Sequence, residues 1–132
     1  MNILVCVKRV PDSSENEIRL NKKGNDIDSD DVVYEVNAWD NYAVEEAIQI
    51  VDKAGGSVTV VSIGSEENEE ILRREMAMGA ESGVLLSDPL FENADGRKLA
   101  AILSAYINKN NFDLVLCGAQ ADEGGGKVAG ML

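Results

Sequence analysis

The chain contains no histidine among its 132 residues, which removes the commonest general base and the commonest metal ligand in proteins. Catalysis by a Ser–His or Cys–His pair is therefore excluded. Basic residues are also scarce, since 12 Lys and Arg face 24 Asp and Glu and leave a net charge of −12. Such an acidic balance argues against binding to nucleic acid or to an anionic membrane surface.

Long apolar runs and cysteines are scarce as well. No run of about 18 apolar residues occurs, so the sequence predicts no membrane insertion. Residues 1–5 enter a strand-like run directly, so we expect no signal peptide and a cytoplasmic location. The two cysteines, Cys6 and Cys117, both lie within apolar runs. They predict reduced, buried thiols rather than a disulfide or a zinc site.

Strand-like and helix-like segments alternate along the chain. Apolar, β-branched runs predict four strands, at 3–7, 58–63, 83–86 and 112–117. Apolar residues at helical spacing predict one helix over 43–51, with Asn37 as its cap, and a second between Ser65 and Gly79. A third helix is predicted through Leu99 to Ile107, after the capping candidates Asn93 and Asp95. This alternation predicts a doubly wound α/β domain with a mostly parallel sheet and helices on both faces.

A segment after the first strand departs from this rhythm. Residues 17–36 contain a polar turn at 22–24 between two short apolar stretches, which predicts an irregular, hairpin-like excursion. Its aspartates resemble a calcium loop, but Asp31 and Asn37 stand where an EF-hand loop starting at Asp26 requires Gly and Glu. The acidic turn is therefore interpreted as solvated.

The carboxyl ends of the strands are the expected ligand site in an open parallel sheet. They comprise 6–9, 63–65 and 117–126, and the last range contains the run Gly124 to Gly126. Glycines followed by a helix start and by Lys127 favour a nucleotide-phosphate cradle, with a flexible loop as the alternative. Neither a G-x-G-x-x-G fingerprint nor a Walker-A motif is present.

Three other side chains near these ends have more than one interpretation. Lys8 and Arg9 form a pair of cations that either neutralises a phosphate, meets a partner or is simply solvated. Trp39 either packs a loop or stacks on an aromatic ligand.

Four blocks of the sequence, in order and at near-constant spacing, carry a family resemblance. They are 3–12 (ILVCVKRVPD), 37–47 (NAWDNYAVEEA), 76–80 (MAMGA) and 113–121 (DLVLCGAQA). Together they resemble the electron transfer flavoprotein β subunit, the group that includes the FixA proteins. The resemblance covers essentially the whole chain and implies a Rossmann-like domain of the adenine-nucleotide-binding type.

The resemblance implies an electron-carrier subunit that is not an enzyme on its own. Such a β subunit binds AMP, or a second FAD in electron-bifurcating members, and forms a heterodimer with an α subunit that carries FAD. Electrons pass from acyl-CoA dehydrogenase-type flavoenzymes to a membrane quinone reductase or another acceptor. By resemblance, no residue is catalytic or binds a metal, and the nucleotide contacts are Cys6, Asn37, Ala38, Trp39, Asp40, Ile63, Gly118, Gln120, Asp122, Gly124, Gly125, Gly126, Lys127 and Val128.

The chain departs from the family pattern at three places. Ala119 stands where the family has lysine, and Ala38 stands where it has proline. The loop after Gly118 is one residue shorter than usual, so phosphate contacts would fall to backbone N–H groups and Lys127.

A further helix would begin close to Leu132, so we expect residues 1–132 to be the amino-terminal half of a longer subunit.

Two other classes share this sheet topology. A stand-alone ATP- or AMP-binding regulatory domain of the universal-stress-protein type is the main alternative, although Gly118 and Gly124 do not fit the glycine spacing of those proteins. An ATP-pyrophosphatase-type enzyme would carry a Ser-Gly-Gly-x-Asp-Ser loop after the first strand, and residues 8–12 do not match it.

Overall fold

The computed structural model describes residues 1–121 and 128–132 and contains a parallel sheet of four strands. The sheet strands are β1 (Asn2–Cys6), β4 (Ser57–Ile63), β5 (Ser82–Leu86) and β6 (Leu114–Cys117), in the order β5-β4-β1-β6. All four predicted strands are confirmed. The last strand begins later than predicted, at Leu114. Asp113, just before it, uses its carboxylate Oδ2 to accept the Asn2 N–H at 2.7 Å.

Four helices accompany the strands in the described residues. They are α1 (Ala38–Ala54), α2 (Glu69–Met78), α3 (Gly96–Ile107) and the short α4 (Val128–Met131), with 3₁₀ turns at Glu66–Asn68 and Pro89–Phe91. The Asp95 carboxylate caps α3, accepting the Lys98 N–H at 2.9 Å. Gly79 ends α2 with φ 140°, a backbone conformation that residues other than glycine rarely adopt. The predicted helices are confirmed, with α1 longer at both ends.

Both faces of the sheet are covered, as the α/β prediction requires. On one face, Val44 of α1 and Ile71 of α2 pack against Ile3 and Val5 of β1. On the other face, Leu103 of α3 packs with Leu4 and Val61, and residues of α4 join the same cluster. The central strand β1 is therefore apolar on both sides, which is why its sequence has no alternating pattern.

The excursion, defined here as residues 12–33, lies between two short strands. β2 (Arg9–Pro11) pairs antiparallel with β3 (Tyr34–Val36), and a single bridge joins Leu20 to Ile27 around the turn at Gly24. The hairpin-like excursion is confirmed, although its base strands lie further apart in sequence than the pattern indicated. In the part of the chain that is described, no cluster of three acidic, cysteine or histidine side chains could hold a metal ion.

The order of the strands fixes where a ligand site can lie. From β1 the chain moves to β4 and β5 on one side, then returns across the sheet to place β6 on the other side of β1. The connections therefore diverge between β1 and β6, and this switch point is where open α/β sheets bind ligands. Among the described helices, none is long and apolar enough to cross a membrane.

Candidate functional site

A cavity of about 120 Å³ opens at the carboxyl ends of β1, β4 and β6. We call it the strand-end cavity. Seven residues that the sequence predicted as nucleotide contacts line it: Cys6, Asn37, Asp40, Ile63, Gly118, Gln120 and Val128. Eight further lining residues are Val7, Lys8, Val61, Leu99, Leu103, Cys117, Ala121 and Ala129. The strand ends that were widely separated in sequence thus meet at one place.

Asp40 joins the two segments that leave β1 and β6. Its buried carboxylate accepts the Lys8 N–H through Oδ2 at 2.9 Å and the Gly118 N–H through Oδ1 at 3.0 Å. Each carboxylate oxygen accepts one backbone N–H, so a single side chain provides a hydrogen-bond acceptor for both loops at the switch point. Asp40 is therefore a positioning residue for the cavity wall.

The burial of Asp40 also affects its protonation. Desolvation raises the pKa of the carboxyl, while hydrogen bonds from Asn37, Lys8 and Gly118 and the charge of Lys8 act in the opposite direction. The pKa of Asp40 is raised overall, so the hydrogen bonds and the nearby charge do not fully compensate for the loss of water around the carboxylate.

Asn37 forms the other polar wall of the cavity. Only 1% of the residue is exposed, and its Nδ2 donates to the Gln120 carbonyl oxygen at 2.8 Å. The Asn37 backbone N–H donates to the Lys8 carbonyl oxygen at 2.8 Å. The Asn37 Oδ1 is buried and has no hydrogen-bond partner among the described residues. A buried amide oxygen left in this condition is costly, so a donor that reached it would be stabilising.

The sequence had predicted Asn37 as the side-chain cap of α1. Asn37 does occupy the N-cap position, but its side chain makes no capping hydrogen bond. The capping prediction is wrong for the side chain because the amide reaches across to the loop after β6 instead.

Gly118 is required by close packing rather than by unusual backbone angles. A Cβ atom at this position would lie 2.3 Å from Asp40 Oδ1 and 2.8 Å from the Asp40 backbone nitrogen. Any side chain here would push the loop after β6 away from the start of α1. Gly118 therefore allows the hydrogen bond from its own N–H to Asp40.

The apolar walls come from two elements. Val61 and Ile63 belong to the end of β4, and Leu99 and Leu103 belong to α3 on the opposite side. The sequence interpretation had treated Leu99 and Leu103 only as a helix stripe. No signal in a single sequence separates a helix residue that packs in the core from one that also borders a cavity.

Several predicted contacts lie elsewhere. Ala38 and Trp39 are exposed at the start of α1 and are not among the residues lining the strand-end cavity. The Trp39 ring packs edge-on against Tyr42, with ring centroids 6.5 Å apart. The predicted contacts Asp122, Gly124, Gly125, Gly126 and Lys127 lie outside the described residues.

The two cations after β1 are separated by the fold. Lys8 lines the cavity. Arg9 instead forms an ion pair with Glu67, with Nη1 3.1 Å from Oε2, and its guanidinium lies 3.6 Å from the centroid of the Tyr34 ring. These contacts assign Arg9 to holding β3 against the rest of the domain.

Comparison with known proteins identifies relatives of this chain. Residues 25–132 match the family model described as the electron transfer flavoprotein domain. The chain is 44% identical over 124 residues to the electron transfer flavoprotein subunit beta of Thermoanaerobacterium thermosaccharolyticum, which covers 94% of this chain and 47% of that protein. It is 37% identical to the subunit beta of Bacillus subtilis, covering 98% of this chain and 50% of the relative. It is also 37% identical to the protein FixA of Azotobacter vinelandii, and the alignment covers 94% of this chain and 45% of that protein. The chain spans about half the length of these curated relatives.

Proposed function

This chain belongs to the electron transfer flavoprotein domain family, and on that premise we propose that it is the adenine-nucleotide-binding, amino-terminal half of a β-type subunit. In this role it is an electron-carrier component and not an enzyme on its own. The observation that carries the proposal is the strand-end cavity at the β1/β6 switch point, with apolar walls and one unpartnered buried acceptor.

The lining of the cavity suits an adenine nucleotide. Ile63 and Leu103 offer apolar surface for the faces of a flat aromatic base. The Asn37 Oδ1 offers an acceptor for an exocyclic amino group or a ribose hydroxyl, both of which are donors. Bound AMP, or the AMP portion of FAD, would supply this donor and relieve the buried acceptor.

The phosphate is proposed to lie over the loop that follows Gly118. This part rests on the resemblance and on the sequence run 124–127, which the described residues do not include. Ala121 and Val128, which flank that run in the chain, both line the cavity, and so does Lys8 from the end of β1. Lys8 would contribute positive charge close to a bound phosphate.

The proposed partner is an electron transfer flavoprotein α subunit that holds FAD. The FAD supplies the redox chemistry when bound, and the part of this chain is to position its nucleotide and its partner. Flavoenzymes of the acyl-CoA dehydrogenase type are the proposed donors, and a membrane quinone reductase or another acceptor receives the electrons. A cytoplasmic location stays a prediction.

The test uses the full-length protein purified with whatever subunit accompanies it. The protein is denatured, and the released small molecules are identified by chromatography and mass spectrometry. We expect an adenine nucleotide, either AMP alone or FAD beyond that of the α subunit, and co-purification of a flavin-bearing subunit. Release of ATP from a protein without a partner would favour a universal-stress-type regulator. Release of no adenine compound would overturn the site assignment.

A pair of variants localises the nucleotide. Asn37→Ala removes the unpartnered acceptor and the bond to Gln120, and we expect retained nucleotide to fall by about tenfold, because a lost hydrogen bond is worth about 1 kcal/mol or more. Asn25→Ala changes an exposed amide in the excursion and should retain the wild-type amount. Equal retention in both variants would contradict the role proposed for Asn37.

A further inference from the structure

Two thiols end neighbouring strands on the floor of the strand-end cavity. Cys6 is the last residue of β1, Cys117 is the last residue of β6, and the two are direct partners in the parallel ladder. Neighbouring strands lie about 4.8 Å apart. Disulfides join Cα atoms that are about 4.4–6.8 Å apart, so the spacing of these strands suits a bridge.

Both side chains also project from the same face of the sheet. Cys6, Leu4 and Val115 all pack in the cluster under α3. Cys117 follows Val115 by two residues, and side chains along a strand alternate between faces, so Cys117 shares that face. Both cysteines are free, half-buried and border the cavity. The cavity therefore gives a small reagent a route to both cysteine side chains.

The two sulfur atoms are not chemically equivalent. A hydrogen bond from Cys6 lowers the pKa of the Cys117 thiol, although desolvation and the nearby Asp40 act against this change. The same hydrogen bond, followed by desolvation, raises the pKa of Cys6. Cys117 therefore ionises more readily than Cys6, which makes Cys117 the attacking sulfur and Cys6 the resolving one.

We propose that Cys6 and Cys117 form a reversible dithiol–disulfide couple that low-molecular-weight disulfides oxidise through the strand-end cavity. The Cys117 thiolate attacks one sulfur of the reagent, forms a mixed disulfide and releases one thiolate. Cys6 then passes its proton to the released small thiolate and attacks the Cys117 sulfur, which breaks the mixed disulfide and releases the second thiolate, which takes up a proton from water. Two electrons pass from the protein to the reagent, and two small thiols are formed in total.

The couple is reversible for a geometric reason. The Cβ atoms of a disulfide are about 3.8 Å apart, closer than neighbouring strands hold direct partners. Bridging therefore pulls the ends of β1 and β6 together and strains the bond, and strained disulfides are easily reduced. A second consequence rests on the proposed function: a nucleotide in the cavity covers both sulfur atoms and slows their oxidation.

The test uses the full-length protein in its native complex, stripped of nucleotide and incubated with oxidised glutathione. Remaining thiols are alkylated, and a non-reducing digest is analysed by mass spectrometry. We expect a peptide that links Cys6 to Cys117 and disappears after treatment with dithiothreitol. Recovery of only alkylated cysteines, or of separate glutathione adducts, would overturn the couple.

Two variants assign the roles of the sulfur atoms. Cys6→Ser should trap a glutathione adduct on Cys117, because the resolving thiol is absent. Cys117→Ser should leave Cys6 mostly alkylated. Reaction at Cys6 but not at Cys117 in these variants would overturn the assignment, while the wild-type digest tests the bridge even if a variant fails to fold.

The shielding is measured separately. With AMP at about ten times its dissociation constant, bridging should slow about tenfold, because only the nucleotide-free fraction reacts. An unchanged rate would overturn the shielding but leave the couple intact. Identification of the nucleotide released by denaturation stays independent of both results, so failure of the proposed function is recognised on its own.

Discussion

Acidic and amide side chains act differently at the strand-end cavity and in the excursion. At the cavity, Asp40 bonds to backbone groups 32 and 78 residues away, and Asn37 bonds to one 83 residues away. In the excursion, Asp12 accepts from Ser14 and Asn21 pairs with Asn25, only two and four residues away. The longest side-chain bonds within the excursion, between Asn16 and Val33, span 17 residues. Both regions use the same residue types, but the partly buried bonds at the cavity join segments that are much further apart in sequence.

Local polarity alone therefore does not identify a binding site in this chain. A side chain that bonds its near neighbours stabilises one turn and leaves water to satisfy its remaining atoms. A buried side chain that bonds distant backbone groups cannot be replaced by water, so its loss exposes the full cost of unpaired donors. Substitutions at Asp40 and at Asp26 test this distinction directly.

Asp40→Ala should have the largest effect. It leaves the partly buried N–H groups of Lys8 and Gly118 without this acceptor, and we expect the free energy of unfolding to fall by about 3 kcal/mol. Asp26→Ala is the matched control, because the exposed Asp26 carboxylate accepts the N–H of its chain neighbour Ile27. The control should change stability by less than about 0.5 kcal/mol in urea unfolding. Equal losses in the two variants would remove the distinction between the regions.

Gly118→Ala should have the next largest effect. The added methyl group meets Asp40 Oδ1 at 2.3 Å and the Trp39 carbonyl carbon at 2.8 Å, so the loop must move. We expect a loss of about 2 kcal/mol in urea unfolding, which is typical of overpacking. Gly130→Ala adds the same methyl group to a site with no atom within 4 Å and should be nearly neutral. A neutral Gly118→Ala would show that the cavity wall adapts without cost.

Glu75→Gln should give the smallest effect, and one that depends on pH. Only 1% of Glu75 is exposed, and burial raises its pKa above the usual 4.5, with Arg74 opposing and Asp40 adding to the shift. The folded protein therefore holds this proton to a higher pH than the unfolded chain does. Its stabilising contribution is complete below pH 4.5 and is lost as the pH rises through the raised pKa.

The Gln variant lacks this titration, so its stability relative to the wild type should increase across that window and then stay constant. Urea midpoints measured at a series of pH values check the trend. Glu70→Gln is the matched control, because it removes an exposed carboxylate from the same helix. A stability difference between Glu75→Gln and the wild type that does not change with pH would contradict the prediction.

Much of the fold was predictable because it depends on local pattern. The apolar runs of β1 and β4 and the helical stripe through Val44 and Ala47 specify buried elements by periodicity alone. The position of the cavity followed from the rule for parallel strand ends, and the family resemblance added Asn37 and Asp40. The roles of these two residues were not predictable, because their partners Gln120 and Gly118 are set by tertiary contacts.

The pairing of Cys6 with Cys117 was missed for a similar reason. Each cysteine was correctly placed at the end of a predicted strand, but which strands are neighbours depends on the order of the sheet. The side-chain contacts of Arg9 with Glu67 and Tyr34 likewise follow from the docking of β3 and not from any spacing in the sequence.

Hydrogen–deuterium exchange of the full-length protein, with and without AMP, tests whether a nucleotide binds in the strand-end cavity. We expect AMP to slow exchange at the ends of β1 and β6 and at the start of α1, where Lys8 and Gly118 bond to Asp40. Exchange in the excursion, residues 12–33, should not change. Protection confined to the excursion, or no protection anywhere, would contradict a nucleotide site at the strand-end cavity.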